Sequence, residues 1–343
     1  MKSIPALANT ASASDQLNPI PAKALFRAFF IARLLQAQQF SMHNASMKST
    51  HSIKENALPD AWAELQAQTG HEALMRPESY RLAFADPEFL LRRETRGIRI
   101  QLEMLKPDLT QSKVGIEHTI VVFGSARFVD RQQAQTQWVS AQASGEPQAL
   151  AKARLALQNA EHYENARQFA KLVAQNSARL PAEDKLFICT GGGPGIMEAA
   201  NRGAHEVGAP SVALNIVLPH EQQANPYVTP ELSFKFHYFA MRKMHFMMRA
   251  KALVAFPGGF GTLDELFEVL TLVQTRKAQP VPILLFGSDY WKRLINLEML
   301  VEAGTISAED LNIFSYVDTP EEAWRSICDF YCLPSAKENF CTY

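Results

Sequence analysis

A chain of 343 residues, 47% of them hydrophobic, can bury one large core or two. Its 34 Lys and Arg against 35 Asp and Glu give a net charge of -1, so no polyanion footprint appears and nucleic acid is excluded as a partner. No stretch approaches the about 18 apolar residues that a membrane span needs. The four cysteines (Cys189, Cys328, Cys332 and Cys341) have neither a disulfide framework nor a zinc spacing, and the histidines include no H-E-x-x-H. The expectation is a protein without metal or cofactor, in a reducing, cytoplasmic compartment.

The N-terminus differs from the rest. Residues 1–50 are rich in Ala, Ser and Gln, with Asp15 their only acid, and Ala24 to Phe40 has the pattern of a basic amphipathic helix. An acid-poor, Arg-bearing leader resembles a transit peptide, while translation from Met42 or Met47 explains it equally well. Either way, residues 1–59 read as a disordered or weakly helical leader. From Asp60 to about Lys106 the pattern is helical, with Trp62, Leu65, Phe89, Leu90, Leu91, Ile98, Leu102 and Leu105 available for packing. This extension, 60–115, reads as a helical cap or dimer element.

Residues 116–343 alternate strand and helix. The first strand is Ile120 to Gly124, and a Gln- and Ala-rich insertion, Val129 to Gln158, delays the first long helix, Ala160 to Ser177. Lys185 to Thr190 is a strand that ends in Gly191-Gly192-Gly193-Pro194-Gly195, and a helix runs from Ile196 towards Gly208. Later strands are Ser211 to Ile216, Ala252 to Phe256 and Val281 to Phe286. Phe234 to Phe239 alternates aromatic and polar residues, and a Met-rich helix opens at Met241 and reaches about Lys251. Most of its stripe of Met244, Phe246, Met247 and Met248 reads as core, and the stripe holds more apolar residues than one sheet face needs, which suits a dimer patch. Closing helices are expected near Asp289 to Ala303 and Pro320 to Tyr331. Such alternation predicts an α/β fold: a Rossmann-like, doubly wound parallel sheet with helices on both faces, plus the helical extension.

The chemistry concentrates after Ala252–Phe256. Pro257 ends that strand, Gly258, Gly259 and Gly261 form an unobstructed turn, and helical spacing starts at Thr262. Strand, glycine turn and helix N-terminus make an anion site, because unpaired N–H groups and the helix dipole point at one spot. Neither glycine turn is a dinucleotide fingerprint or a Walker loop. Glu265, one turn into the helix, has two readings. Thr262-x-x-Glu265 fits a capping box, the commoner role on spacing alone. A carboxylate at an anion site also fits catalysis. Both readings keep Glu265 ionised beside the positive helix end. Upstream, Arg242 and Lys243 read either as solvated charges or as cations for an anionic substrate.

Taken together, these segments resemble the LOG ("Lonely guy") family of nucleoside 5′-monophosphate phosphoribohydrolases, formerly mislabelled lysine decarboxylases. The family's P-G-G-x-G-T-x-x-E stands complete as Pro257 to Glu265, its Arg-Lys pair matches Arg242-Lys243, and its G-G-G-x-G-I-M-E-A matches Gly191 to Ala199. V-V-F-G-S-A-R, Val121 to Arg127, resembles its opening strand and turn. Its L-P-x-E-Q-x-x-N matches Leu218 to Asn225. The resemblance implies hydrolysis of an N-glycosidic bond to free base and ribose 5-phosphate, and it turns the reading of Glu265 towards catalysis. Glu265 would stabilise the oxocarbenium-like sugar and orient water, and Arg242 would stabilise the leaving base. Gly258, Gly259, Gly261 and Thr262 would hold the 5′-phosphate, assisted by Lys243, with Gly192, Gly193, Gly124 and Ser125 also lining the site. Glu221 would contact ribose or base. Thr271 lies six residues past Glu265, on another helix face, which suits a site shared across a homodimer or larger homo-oligomer. The base is not readable, so cytokinin activation and nucleotide salvage both fit. A non-catalytic nucleotide or molybdenum-cofactor carrier is the alternative on the same fold. A pyridoxal-phosphate decarboxylase lacks its lysine context, and a nicotinamide dehydrogenase lacks its fingerprint.

Overall fold

The switch of apolar period from two to 3.6 residues along the chain is realised as a seven-stranded sheet in which every pairing is parallel. The structure is a computed structural model and describes residues 79, 81–218 and 223–333. The leader, Trp62, Leu65, Glu221 and Cys341 lie outside the described residues.

In chain order, α1 (Pro87–Leu91) and α2 (Arg96–Lys113) precede β1 (His118–Phe123). Helices α3 (Arg131–Ser144) and α4 (Pro147–Ser177) lead to β2 (Leu186–Thr190), and α5 (Ile196–His205) leads to β3 (Ser211–Ile216). Next come β4 (Ser233–Phe236), α6 (Phe239–Met248), β5 (Ala250–Ala255) and α7 (Phe260–Gln274). The chain closes with β6 (Ile283–Phe286), α8 (Ser288–Leu294), α9 (Glu298–Glu302), β7 (Phe314–Val317) and α10 (Pro320–Tyr331). The strand order is β4-β3-β2-β1-β5-β6-β7. The chain walks outward from β1 to β4, then returns to the other side of β1 as β5. Between β1 and β5, therefore, lies a topological switch point, where crevices open at the carboxyl ends of strands.

Each strand faces two ways, so the core has two halves. Ile120, Val122, Ala252, Val254, Leu284 and Phe286 pack against α4, α5 and α10 through Tyr163, Phe169, Ile196 and Trp324. Their neighbours Val121, Phe123, Leu253, Ala255 and Leu285 pack against Phe246 of α6, Leu266 and Val269 of α7, and Trp291 of α8. The doubly wound sheet read from the sequence is the one observed.

Several expectations need correction. The Val129–Gln158 insertion does not delay a helix; it is helical. Gly145, left-handed at φ 66°, ends α3, and Pro147 at the first turn of α4 starts a helix of 31 residues. Ala and Gln are good helix formers with little apolar signal, so propensity formed what periodicity did not show. Pro107 does not stop the extension either, since α2 runs through it to Lys113 with the ring buried. The helix expected over Asp289–Ala303 breaks between α8 and α9. The Met-rich helix ends at Met248, and of its stripe only Phe246 is buried, while Met244 and Met248 are exposed. Leu91, Ile98, Leu102 and Leu105 of the extension are exposed as well. Edge strand β7 gave no recognised signal.

Helices α4 and α5 touch through Gly203, where an added Cβ would lie 2.0 Å from the main-chain oxygen of Arg167. Backbone cannot yield as a side chain end can, so Gly203→Ala is expected to cost about 1–3 kcal/mol in urea unfolding. A loss below about 0.5 kcal/mol, the scale of a neutral surface change, would contradict this helix crossing.

Candidate active site

Three turns meet at the carboxyl ends of β1, β2 and β5, and main-chain bonds tie them together. Ser125, after β1, donates its N–H to Pro257 O at 2.9 Å and accepts the N–H of Ile196 at 3.0 Å. Its hydroxyl accepts the Arg127 N–H at 3.1 Å. Both of its main-chain polar groups are thus used between turns. Gly124 has to be glycine, because a Cβ would lie 2.6 Å from Ile196.

The turn after β2 is held from beneath. Gly192 and Gly195 both have φ +73°, and a Cβ on Gly195 would lie 2.3 Å from Ser125 O. Gly192 donates its N–H to Thr190 Oγ1 at 2.9 Å. Asn225 donates to the carbonyls of Gly192 and Gly193 at 3.2 and 3.1 Å and to Asn201 Oδ1 at 2.9 Å. Asn201 in turn accepts Thr190 Oγ1–H at 2.7 Å and donates to Ser211 at 3.0 Å. All four side chains are buried, so this satisfied network fixes the turn. Asn201 and Thr190 were missed from sequence because nothing local distinguishes a networked Asn or Thr from an ordinary one. Asn225 stood at the end of the Leu218–Asn225 match without a role.

After β5, α7 begins two residues earlier than the spacing suggested. Gly259 is its N-cap, and no side chain caps it. Thr262 is therefore the third residue of the helix. It is buried, with its hydroxyl so close to Gly258 that a Cβ there would lie 2.1 Å away. The Gly258 carbonyl accepts the Tyr290 hydroxyl at 2.7 Å. Gly259 and Gly261 face open space. The first-turn N–H groups of α7 are thus presented beside a backbone free of side chains.

Glu265 is not a cap. It points inward, 5% exposed, and its Oε1 accepts no hydrogen bond. The Arg242 guanidinium lies 3.7 Å from that oxygen, an ion pair too long for a hydrogen bond. Nor does the helix end keep it ionised. Burial raises its pKa to about 7, the pull of Lys243 and Arg242 only partly opposing, and Glu268 and Asp264 push the same way as burial. Arg242, mostly buried, lies over the rings of Phe239 and Phe246 at 5.1 and 5.7 Å.

Lys243 is engaged elsewhere, with Asp264 at 2.8 Å and Glu268 at 2.7 Å. Burial opposes its charge, but those two carboxylates hold its pKa above the ordinary value. Thr271 is exposed and donates its hydroxyl to Phe267 O at 2.7 Å. With Lys243, Phe260, Phe267 and Glu268 it lines an outer groove of about 590 Å³. Glu265 and Thr271 do occupy different faces of α7. Glu221, outside the described residues, has no place in this geometry. Among the described residues no group of His, Cys, Asp and Glu could hold a metal ion, and no helix is long and apolar enough to cross a membrane.

Because folded Glu265 holds its proton more tightly than the unfolded chain, its contribution to stability is present below about pH 4.5 and is lost as pH rises through about 7. A shift of that size corresponds to about 3 kcal/mol. Glu265→Gln removes the dependence. In urea unfolding the variant gains on the wild type by up to ~3 kcal/mol between about pH 5 and pH 8.5. A stability difference that does not change with pH would show that the carboxyl titrates normally.

Comparison with known proteins adds to this geometry. Residues 197–327 match the family described as "Possible lysine decarboxylase". A probable cytokinin riboside 5′-monophosphate phosphoribohydrolase of Oryza sativa subsp. japonica is 29% identical over 144 residues, 41% of this chain and 61% of its own. A second such rice protein is 32% identical over 124 residues, 35% of this chain and 49% of its own. The chain thus spans about half to three fifths of these relatives. In structure, the molybdenum cofactor binding protein of Rippkaea orientalis aligns with a TM-score of 0.37 at 16% identity, over 62% of this chain and 95% of that one. The family match and the rice relatives bear out the resemblance read from the motifs: this chain is similar to the LOG family over the segment that carries Arg242 and Glu265.

Proposed function

We propose that the protein hydrolyses the N-glycosidic bond of nucleoside 5′-monophosphates, releasing free base and ribose 5-phosphate. The observation that carries this reading is the buried Glu265 carboxyl, without a hydrogen bond on Oε1 and facing Arg242 at the switch point of the sheet. Bond cleavage builds positive charge on the sugar and negative charge on the leaving base. An ionised Glu265 stabilises the first and orients the attacking water, and Arg242 stabilises the second. Arg242 acts by charge, since a guanidinium rarely gives up its proton. The 5′-phosphate docks on the N-terminus of α7, at Gly258, Gly259, Gly261 and Thr262. Lys243 assists with the N–H it does not give to Asp264 and Glu268.

A carrier of anionic ligands does not need this arrangement. A buried carboxylate lowers affinity for an anion, so Glu265 is a liability in a protein that only binds one. The names of the rice relatives extend the substrate class to cytokinin riboside 5′-monophosphates. We place the protein in a reducing, cytoplasmic compartment on the strength of its free thiols, Cys189, Cys328 and Cys332.

Adenine release from AMP tests the reaction. The wild type should cleave AMP at least about a hundredfold faster than adenosine, because phosphate binding holds the ribose in place. Glu265→Gln should lose at least about a hundredfold in turnover, and Arg242→Ala should fall well below wild type. Wild-type turnover should climb as pH rises through about 7, where Glu265 ionises. Near-normal turnover in Glu265→Gln, or equal rates on AMP and adenosine, would sink the reading.

The minimal active unit is a homodimer. Met244, Met248, Phe260 and Phe267 are exposed on α6 and α7, with Phe260 91% accessible beside the glycine turn. An isologous contact would bury this apolar rim and place a second subunit over the outer groove near Thr271. Light scattering under assay conditions should give a dimer mass or a multiple of it; full turnover from a monomer would contradict a shared site.

A further inference from the structure

Helix α6 carries both cations of the site but has no cap of its own. Its N-cap, Tyr238, makes no side-chain bond to the first turn, and that turn contains no acidic residue. The cap comes instead from α2, 134 residues earlier in the chain. Glu103 Oε1 accepts the His237 N–H at 2.9 Å, and Oε2 accepts the Tyr238 N–H at 3.1 Å. A carboxylate receiving two N–H groups at the positive end of a helix makes strong, directional bonds.

Glu103 also holds α6 through its main chain. Pro107 has no N–H, so the Glu103 carbonyl loses its partner four residues on within α2. His245 Nε2 lies 3.0 Å from that oxygen. A carbonyl only accepts, so Nε2 carries the proton. Burial, the leading influence, lowers the pKa of His245 and favours the neutral ring. Arg99 adds a bond from Nε to the Tyr238 hydroxyl at 3.3 Å. Arg242 sits between the two anchors: its N–H donates to Tyr238 O at 3.2 Å, and His245 follows three residues later.

We propose that Glu103 is a positioning residue that fixes the first turn of α6 and thereby the guanidinium of Arg242. The proposal rests on the reading of Arg242 as the group that stabilises the leaving base. The helical extension is then part of the catalytic apparatus, although it touches no reacting atom. Misplacing a catalytic group by about 1 Å can cost about a hundredfold, so partial release of one helix end suits a loss of about tenfold or more.

The test compares three full-length variants. Glu103→Ala should lower kcat on AMP about tenfold or more with KM changed less than about threefold, and Glu103→Gln, which keeps one acceptor oxygen, should recover most of it. Asp108→Asn loosens the opposite end of α6, where Asp108 Oδ1 holds Arg249 Nη2 at 2.5 Å. It should lower thermal stability and leave kcat near wild type. Labelling of Arg242 by phenylglyoxal, followed by mass spectrometry, reads its position without any turnover and should quicken several-fold in Glu103→Ala. If the wild type releases no base from AMP while Glu103→Ala still quickens labelling, positioning stands and the proposed reaction falls. Glu103→Ala with wild-type kcat and labelling rate, or a kcat loss matched by Asp108→Asn, would overturn the positioning role.

Discussion

The site depends on one unfavourable act, the removal of a carboxyl group from water. Glu265 faces inward from the second turn of α7 with no hydrogen bond to Oε1, and burial outweighs both nearby cations. The surrounding charges explain why. Lys243 pulls on Glu265, but the Asp264 and Glu268 carboxylates it pairs with push the other way, and Arg242 stands off at 3.7 Å. That distance gives attraction without the short bond that would hold the carboxyl fully ionised. The result is a group that titrates near neutrality, the range in which a carboxyl can act both as base and as charge stabiliser.

Such a group persists only if the rest of the structure fixes it. The parallel sheet supplies most of the rigidity: β1 and β5 bring their turns side by side, and Ser125 joins the turn after β5 to the start of α5. The buried Asn201 and Asn225 network does the same for the turn after β2. On the remaining side, the clamp between α2 and α6 holds the helix that carries Arg242. The exposed parts of the region are Phe260 and the outer groove.

Much of this was legible in the sequence. Ser211–Ile216 was bounded as observed, and β2 and β5 to within two residues, because Gly and Pro punctuate them and helical spacing follows at once. Arg242 and Glu265 were paired by motif, and the structure places them together. What local pattern could not supply is tertiary. Thr262-x-x-Glu265 satisfies the capping spacing, yet the helix starts at Phe260, so both side chains turn inward and the sequence rule selects the wrong role. The charge of Glu265 was misread for the same reason: the helix dipole is visible in a sequence, and burial is not. The pairing of Lys243 with Asp264 and Glu268, twenty-odd residues on, has no local signal either. The four residues of β7 carry too few apolar positions to stand out, and Glu103 in E-M-L-K-P-D gives no hint of partners 134 residues away.

The account turns on the ionisation of Glu265, and ¹³C-carboxyl NMR of the glutamates, assigned with Glu265→Gln, observes it directly. The account predicts one carboxyl titrating with a midpoint of about 7 that disappears in the variant. A Glu265 midpoint near the ordinary value of about 4.3 would contradict it, since the carboxyl would then be solvated or tightly paired.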